Sequence, residues 1–299
     1  MNLNIPIFDF IIPAGDSIEF EFGRIENMPG IIKAEQLPHR HNFYEILWVS
    51  EGEGTQYIDF KGYTIKAPVV YFLSSEQVHY WEIKKKVKGY AFLFTANFFL
   101  QDSHSKALLD FPFFHSSAQA PVLKPDKALV ADLQVLGQQI AREYTNHGIA
   151  RETILRSYLN ILLAKFLAGF TEQHPVLLHD DKGEWAVRKL KLAINEHFLT
   201  EKSPAIYAER LNISTRHLAS IVKKITGKTT TGLISDRVVL EAKRLLQYSD
   251  SSIAEIAYYL GFETPTYFGR FFRKITGITP GQFQKKIAAG KSSLRSKHL

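Results

Sequence analysis

The residues best placed to do chemistry begin near the N-terminus, in the run Pro38-His39-Arg40-His41-Asn42-Phe43-Tyr44-Glu45. Along an extended strand the even spacings of His39, His41 and Glu45 put all three on one side, because successive side chains alternate. Two imidazoles and a carboxylate converging on one point suit Fe, Mn, Ni or Zn. Barrel-strand histidines bonded to their neighbours explain the same run equally well. The second chemical group lies at the other end of the chain and is cationic: Arg216, Lys223, Lys224, Arg270, Arg273 and Lys274. Guanidinium groups read guanine bidentately in a major groove, and flanking cations hold phosphate. Thiol chemistry is excluded, since the chain contains no cysteine. That also removes disulfides and fits a reducing compartment.

Charge separates the two groups. Residues 186–299 hold 20 Lys+Arg against 8 Asp+Glu, whereas residues 1–185 hold 17 against 22. The positive excess therefore belongs to the C-terminal third, which points to a nucleic-acid or other anionic partner for that third alone. The N-terminus has no basic stretch followed by an apolar one, so no secretory signal is expected. Uninterrupted apolar runs fall far short of the roughly 20 residues of a membrane span. A cytoplasmic protein with no membrane partner is the expectation.

The elements that must carry these residues change character along the 299-residue chain. Short aromatic and β-branched runs, Phe43–Val49, Gln56–Phe60, Val69–Leu73 and Gly89–Phe94, alternate with turn residues such as Gly52-Glu53-Gly54 and Lys61-Gly62. This is the grammar of a β-sandwich or barrel. From about 126 the period becomes helical, with Leu129, Leu133, Leu136 and Ile140, then Ile154, Leu155, Tyr158, Ile161, Leu162 and Phe166. The two helices are expected to hairpin through Asn146-His147-Gly148. The second is apolar on more than one face, which favours a dimer interface over simple packing beneath the barrel. A linker is expected near Thr171–Gly183.

The remainder is an internal repeat. Ala208 to Leu218 and on to Lys224-Ile225-Thr226-Gly227 matches Ala257 to Phe268 and on to Lys274-Ile275-Thr276-Gly277, with one residue gained in the turn of the second copy. Each copy reads as helix, tight turn, helix. Ser203 with Pro204, Ser214, the capping box Ser252/Glu255 and Thr264-Pro265 supply the helix starts. Gly261 supplies a left-handed stop. With Leu218, Val222, Ile225, Phe268, Phe272 and Ile275 turned inward, the exposed faces are Thr215, Arg216, Ala219 and Ser220, and Pro265, Thr266, Tyr267 and Arg270. Lys223, Lys224, Arg273 and Lys274 follow one turn later. A helix from about Leu233 to Gln247 joins the copies.

Ile256-Ala257-Tyr258-Tyr259-Leu260-Gly261-Phe262, Tyr267-Phe268-Gly269-Arg270-Phe271-Phe272-Arg273-Lys274 and Gly277-Ile278-Thr279-Pro280 together resemble the signature of the AraC family of transcription regulators. The resemblance covers about 186–287. It implies a seven-helix domain whose two recognition helices enter successive major-groove segments, about 34 Å apart. By position, the base-facing residues fall on Arg216, Ala219 and Ser220, and on Pro265, Thr266 and Arg270. Ala219 and Pro265 offer no hydrogen bond. The histidine run resembles the first cupin motif, with Gly52 closing it and His79 standing for the second motif's histidine. That second motif departs from the pattern, with Ser74 for Pro, Glu76 for Gly and Ile83 for Asn. Sensor domains of this type keep such a run without a metal, so no cofactor is expected. The resemblance implies instead an effector pocket with polar groups from His39, His41, Glu45 and His79. Tyr57, Trp81 and Phe94 are its walls by alternation.

The expected chain is two-domain α+β: a cupin-like sensor barrel at 1–117, a dimerising helical pair at 118–172 and a linker at 173–185. An all-α double helix-turn-helix domain follows at 186–290, then a basic tail at 291–299. Its expected function is effector-responsive, sequence-specific transcription activation by a homodimer that contacts RNA polymerase. Two rivals are a metal-dependent cupin enzyme using His39, His41, Glu45 and His79, and a ligand-independent regulator whose barrel only dimerises.

Overall fold

A computed structural model of the chain describes residues 5–12, 18–28, 36–75, 77–100, 111–114, 121–174 and 182–295. The chain divides into two compact units, one built on Pro6–Leu178 and the other on His179–Leu299.

Strands of the first unit are β1 (Ile7–Phe8), β2 (Phe20–Arg24), β3 (Arg40–His41), β4 (Tyr44–Ile58), β5 (Lys61–Lys66), β6 (Val69–Leu73), β7 (His79–Phe94) and β8 (Val122–Leu123). An antiparallel sheet runs β2-β7-β4-β6-β8, with β5 added to the far half of β4, while β1 and β3 form a parallel pair. The two expected strands Phe43–Val49 and Gln56–Phe60 are halves of the single strand β4. Gly52-Glu53-Gly54, read from sequence as a turn, is a bulged stretch inside it. The ladder passes from Val49 opposite Gly89 to Gly54 opposite Ile83 with the register shifting between. Glycine serves close approach here. A Cβ on Gly54 would lie 2.3 Å from the Glu82 carbonyl oxygen, and Gly52 adopts φ +125°. The true turn is Asp59-Phe60, with Asp59 at φ 52°, and it starts β5, a strand that the turn reading of Lys61-Gly62 concealed. The lysine run before Gly89 likewise concealed most of β7. Lys85 and Lys88 pair with Glu53 and Glu51 across the ladder at 2.5 and 2.6 Å.

Both faces of the sheet are apolar. One carries Phe20, Phe22, Ile46, Trp48, Phe72, Phe92 and Phe94 and packs on α2 (Lys127–Tyr144) and α3 (Arg151–Gln173) through Leu133, Ile140, Leu159, Leu162, Phe166 and Phe170. The other carries Leu47, Val49, Ile58, Ile65, Tyr71, Trp81 and Leu93, with Ile25 and Phe43. Among the described residues no α-helix contributes to this second core. The preceding short helix α1 (Ala96–Leu100) is tied in by Arg156, whose Nε donates to the Phe98 carbonyl at 2.7 Å.

By length and composition α3 could cross a membrane. Its Leu155–Phe170 stripe is nevertheless fully buried against the sheet and α2. One face of α3 thus packs under the sheet, and the large apolar side chains left exposed on the pair are Val135 and Ile161.

The second unit is helical: α4 (Lys182–His197), α5 (Pro204–Arg210), α6 (Thr215–Thr226), α7 (Thr230–Tyr248), α8 (Ile253–Tyr259), α9 (Pro265–Thr276) and α10 (Pro280–Arg295). Its first helix starts inside the expected linker, at Lys182. Residues 175–181 lie outside the described residues, as do 296–299 of the expected basic tail.

Gly89 offers the sharpest test of the sheet. It holds φ +153°, and an added Cβ would sit 1.8 Å from the Trp48 carbonyl oxygen. Gly89→Ala is expected to cost well over ~1 kcal/mol, since Ala is strained at positive φ and here also collides with backbone. Urea unfolding followed by the emission of the buried Trp48 and Trp81 reads this. Gly269→Ala, in α9 with open space around it, is expected to be neutral or to stabilise by ~0.5–1 kcal/mol.

Candidate nucleic-acid interface and sensor cluster

The repeat read from sequence is a repeat of backbone geometry. Both first helices, α5 and α8, span seven residues, and both second helices, α6 and α9, span twelve. Each turn carries the same three main-chain bonds. Leu211, Asn212 and Ile213 donate to Tyr207, Glu209 and Ala208, as Leu260, Gly261 and Phe262 donate to Ile256, Tyr258 and Ala257. Asn212 at φ 54° and Gly261 at φ 75° occupy the equivalent left-handed position. Asn tolerates it through its short polar side chain, so the first copy uses Asn where the second uses Gly.

Caps set where the second helices begin. Ser214 accepts from the His217 amide and Thr264 from the Tyr267 amide, with Pro265 in the first turn of α9. Gly227 and Gly277 end the two helices at φ 70° and 81°. Ser252 and Glu255 form the complete capping box on α8. Ser203 occupies the N-cap of α5 with extended backbone but makes no side-chain cap bond, so there Pro204 alone starts the helix.

With Leu218 and Val222 buried in α6, and Phe268 and Phe272 buried in α9, the opposite faces are open. Thr215, Arg216, Ala219, Ser220, Lys223 and Lys224 are all exposed. So are Thr266, Tyr267, Arg270, Arg273 and Lys274, while Pro265 is half-buried. Ile275 departs from the expected inward position and is 40% exposed. Lys223 is partly engaged, its Nζ donating to the Gly227 carbonyl at 2.8 Å.

The connecting helix α7 holds a buried charge group that sequence periodicity did not single out. Glu241 accepts from Arg237 at 3.0 Å and lies 3.5 Å from Arg244, all three buried. Arg237 also donates to Asn195 on α4 at 2.9 Å and stacks over Phe198 at 3.9 Å. Ions this deep persist only when paired and hydrogen-bonded. The group thereby fixes α7 against α4 and the residues just after it.

In the first unit the four polar residues expected to meet do meet. His39 and His79 exchange main-chain bonds of 3.2 and 2.9 Å, and their rings lie 4.2 Å apart. Glu45 Oε2 is 3.4 Å from His41 Nε2 and 3.5 Å from His79 Nε2. All four residues are buried. Each imidazole is oriented by a main-chain carbonyl on Nδ1: Leu37 for His39 at 2.9 Å, Phe43 for His41 at 2.8 Å and Gln77 for His79 at 3.0 Å. A carbonyl only accepts, so in the neutral ring Nδ1 bears the hydrogen and Nε2 presents its lone pair. Glu21, across Leu93 in the same row of the sheet as Glu45, has its carboxyl pushed up by its own burial and by the Glu45 charge.

Of the three expected walls only Trp81 shares the interior face. Phe94 belongs to the helix-packed face, thirteen positions from Trp81 along β7 and so on its opposite side. Tyr57 also points away, stacked on Tyr80 at 4.6 Å and donating to Glu82. Here the bulge is the cause: before it Glu45, Leu47 and Val49 face inward, and after it Gln56 and Ile58 do. Simple alternation from Glu45 cannot anticipate that reversal. It also missed Gln56, fully buried opposite Trp81, whose amide oxygen and nitrogen have no hydrogen-bond partner among the described residues, like Trp81 Nε1.

Against known families, residues 37–158 match the model of the AraC-like ligand binding domain and residues 207–286 that of a helix-turn-helix domain. Between them the two matches cover well over half of the chain. This chain belongs to the AraC family of transcription regulators. Among relatives of this AraC-family chain, the HTH-type transcriptional activator RhaS of Klebsiella pneumoniae (strain 342) is 24% identical over 246 residues, covering 79% of this chain and 83% of its own. RhaS of Escherichia coli O81 (strain ED1a) is 25% identical over 263 residues, covering 84% and 88%. The solved C-terminal domain of AraT, a response regulator from Geobacillus stearothermophilus, aligns at 29% identity and TM-score 0.33, covering 34% of this chain and 84% of that one. The AraC-family chain is thus a DNA-binding transcription regulator with a ligand-binding-type sensor unit and a helix-turn-helix unit.

The capping box of this AraC-family protein gives a test of the second helix pair. Glu255 is held below its ordinary value of 4.5 by the Ser252 hydroxyl first and the Ser252 amide second. A depressed carboxylate stabilises above its unfolded value, and that stability is lost as pH falls through the folded one. The melting-temperature gap between the intact chain and Glu255→Ala is therefore expected to be widest near neutrality. It should narrow below pH 4.5. A gap that does not change with pH would remove the carboxylate from the cap.

Proposed function

We propose that the protein is a sequence-specific activator that reads two successive major-groove segments with α6 and α9. The observation that carries this is one of composition and exposure together. Each helix carries an exposed Arg, Arg216 in the first turn of α6 and Arg270 midway along α9, closes with two exposed cations, and contains no Asp or Glu. Arg216 and Ser220, and Thr266 and Arg270, are the base readers; Ala219 and Pro265 shape the fit without hydrogen bonds. Thr215 and Tyr267 flank them, and Lys223, Lys224, Arg273 and Lys274 hold phosphate.

The protein acts as a cytoplasmic homodimer, paired through α2 and α3, where Val135 and Ile161 are exposed. It performs no catalysis. A small effector occupies the interior of the sensor unit, met by His39, His41, Glu45, His79, Trp81 and Gln56. By binding one arrangement of the regulator better than another, it shifts how the helix-turn-helix unit meets the promoter and RNA polymerase. The buried Gln56 amide and Trp81 indole support this reading, since polar groups kept dry without partners are costly.

Fluorescence anisotropy of the full chain on binding-selected duplexes, over a salt series, tests the DNA assignment. Arg216→Ala and Arg270→Ala are each expected to lose about 1–3 kcal/mol on the selected site and little on random duplex. Lys224→Ala is expected to weaken both alike and to flatten the salt slope by about one. Equal losses on selected and random DNA for both Arg variants would reduce α6 and α9 to phosphate clamps.

A further inference from the structure

We propose that the loop between α4 and α5 holds the two recognition helices at one separation, with the Leu199 carbonyl and Lys202 as its positioning contacts. It thereby fixes the number of base pairs between the two DNA segments. The inference rests on the reading of α6 and α9 as base readers and goes beyond it, to what sets their register on DNA.

Chain connectivity alone does not set that register. The copies are joined covalently through α7, and a single connection leaves the second helix pair free to pivot about it. The loop supplies another attachment. On one side it belongs to the first copy. There α4 packs along α6, and the buried Tyr207 of α5 donates its hydroxyl to the Glu201 carbonyl at 2.8 Å. Arg237 of α7 stacks over Phe198 at 3.9 Å. On the other side the loop presses on the turn of the second copy. Lys202 Nζ donates to the Leu199 carbonyl at 3.1 Å and lies 5.4 Å from the centre of the Phe262 ring, within cation–π range. Phe262 packs in turn on Tyr267, Phe268 and Phe271 of α9, at 5.7, 5.3 and 5.1 Å. A chain of contacts therefore runs from α6, through α4 and the loop, to α9.

The repeat supplies an internal control. Asn212 and Gly261 hold the same left-handed position, at φ 54° and 75°, so the turn itself accepts a side chain there. In the second copy, however, a Cβ on Gly261 would stand 2.6 Å from the Leu199 carbonyl oxygen and 2.8 Å from Lys202 Nζ. The neighbouring loop, rather than the turn, is what demands glycine. Ser203 and Ser252 are likewise equivalent N-caps, yet Lys202 precedes the first and Ser251 the second. The cation is present where the loop meets Phe262 and absent from the equivalent place. Burial holds the Lys202 ammonium below its ordinary value, as it does for a lysine docked on a protein surface instead of in water.

The test uses the full chain and its binding-selected duplex, with one base pair added or removed between the two segments. One base pair shifts a segment by about 3.4 Å and about a tenth of a turn. For the wild-type protein either change is expected to forfeit the contacts of one helix, roughly 5–150-fold in affinity. Gly261→Asn repeats the first copy's residue, and Lys202→Met keeps the stem without the charge. Each is expected to weaken binding to the original duplex and to shrink the penalty on the altered ones roughly fivefold or more. Lys202→Arg keeps the full penalty, since a guanidinium also stacks on a ring, and so does Asn212→Gly. Melting temperature shows that each variant is folded, and Lys202→Met carries the test should Gly261→Asn melt early. Equal losses on all three duplexes make the loop merely structural and overturn the proposal, as does a wild-type protein that binds all three alike. If Arg216→Ala and Arg270→Ala do not discriminate selected from random DNA, the base-reading assignment falls and takes this proposal with it. If they do discriminate and the spacing penalty survives both loop variants, this proposal alone falls.

Discussion

The sensor unit depends on how closely β4 and β7 approach where their ladder changes register. Gly89 lies so near the Trp48 carbonyl, and Gly54 so near that of Glu82, that no side chain fits at either point. That proximity lets two strands of fifteen and sixteen residues stay paired through a bulge instead of parting into separate hairpins. The bulge in turn reverses the facing of β4. Gln56 and Ile58 then share an interior with Glu45 and Leu47, although their parities differ. The histidine cluster, the buried amide and the indole are neighbours because the strand changes face once.

The second unit is organised by other means. The helices of its two repeats are short, and the precision of the two exposed faces comes from local rules applied twice: an N-cap hydroxyl, a left-handed residue, a C-terminal glycine. Burial then does the global work through Phe268, Phe272, Leu218 and Val222, and through Glu241, which gathers Arg237 and Arg244 around one carboxylate. Removing such a partner strands buried charge, which costs about 3–5 kcal/mol. The group is therefore a fixed brace, set on the helix that joins the two copies.

Much of this was legible in the sequence. Caps and stops announce themselves by residue type, so α6, α8 and α9 begin where Ser214, Ser252 and Thr264 predict, and the exposed faces follow from period 3.6. The cluster of His39, His41, Glu45 and His79 was equally visible, because even spacing survives the short bend at Asn42-Phe43. What was not visible depends on pairing. Gly52 and Gly54 look like a turn unless the opposing carbonyls are known, Tyr57 looks inward unless the bulge is known, and Gln56 looks like an ordinary surface amide. The lysines of β7 hide a strand because their partners, Glu51 and Glu53, are thirty-odd residues away.

The unlike faces of the two second helices have a consequence for any DNA that both of them read. Two second helices of equal length and equal capping, in one chain and in one direction, present unlike side chains: Arg-His-Leu-Ala-Ser in one, Thr-Tyr-Phe-Gly-Arg in the other. A site read by such a pair has no internal mirror. It has a head and a tail, so every copy of it on a genome points one way along the double helix.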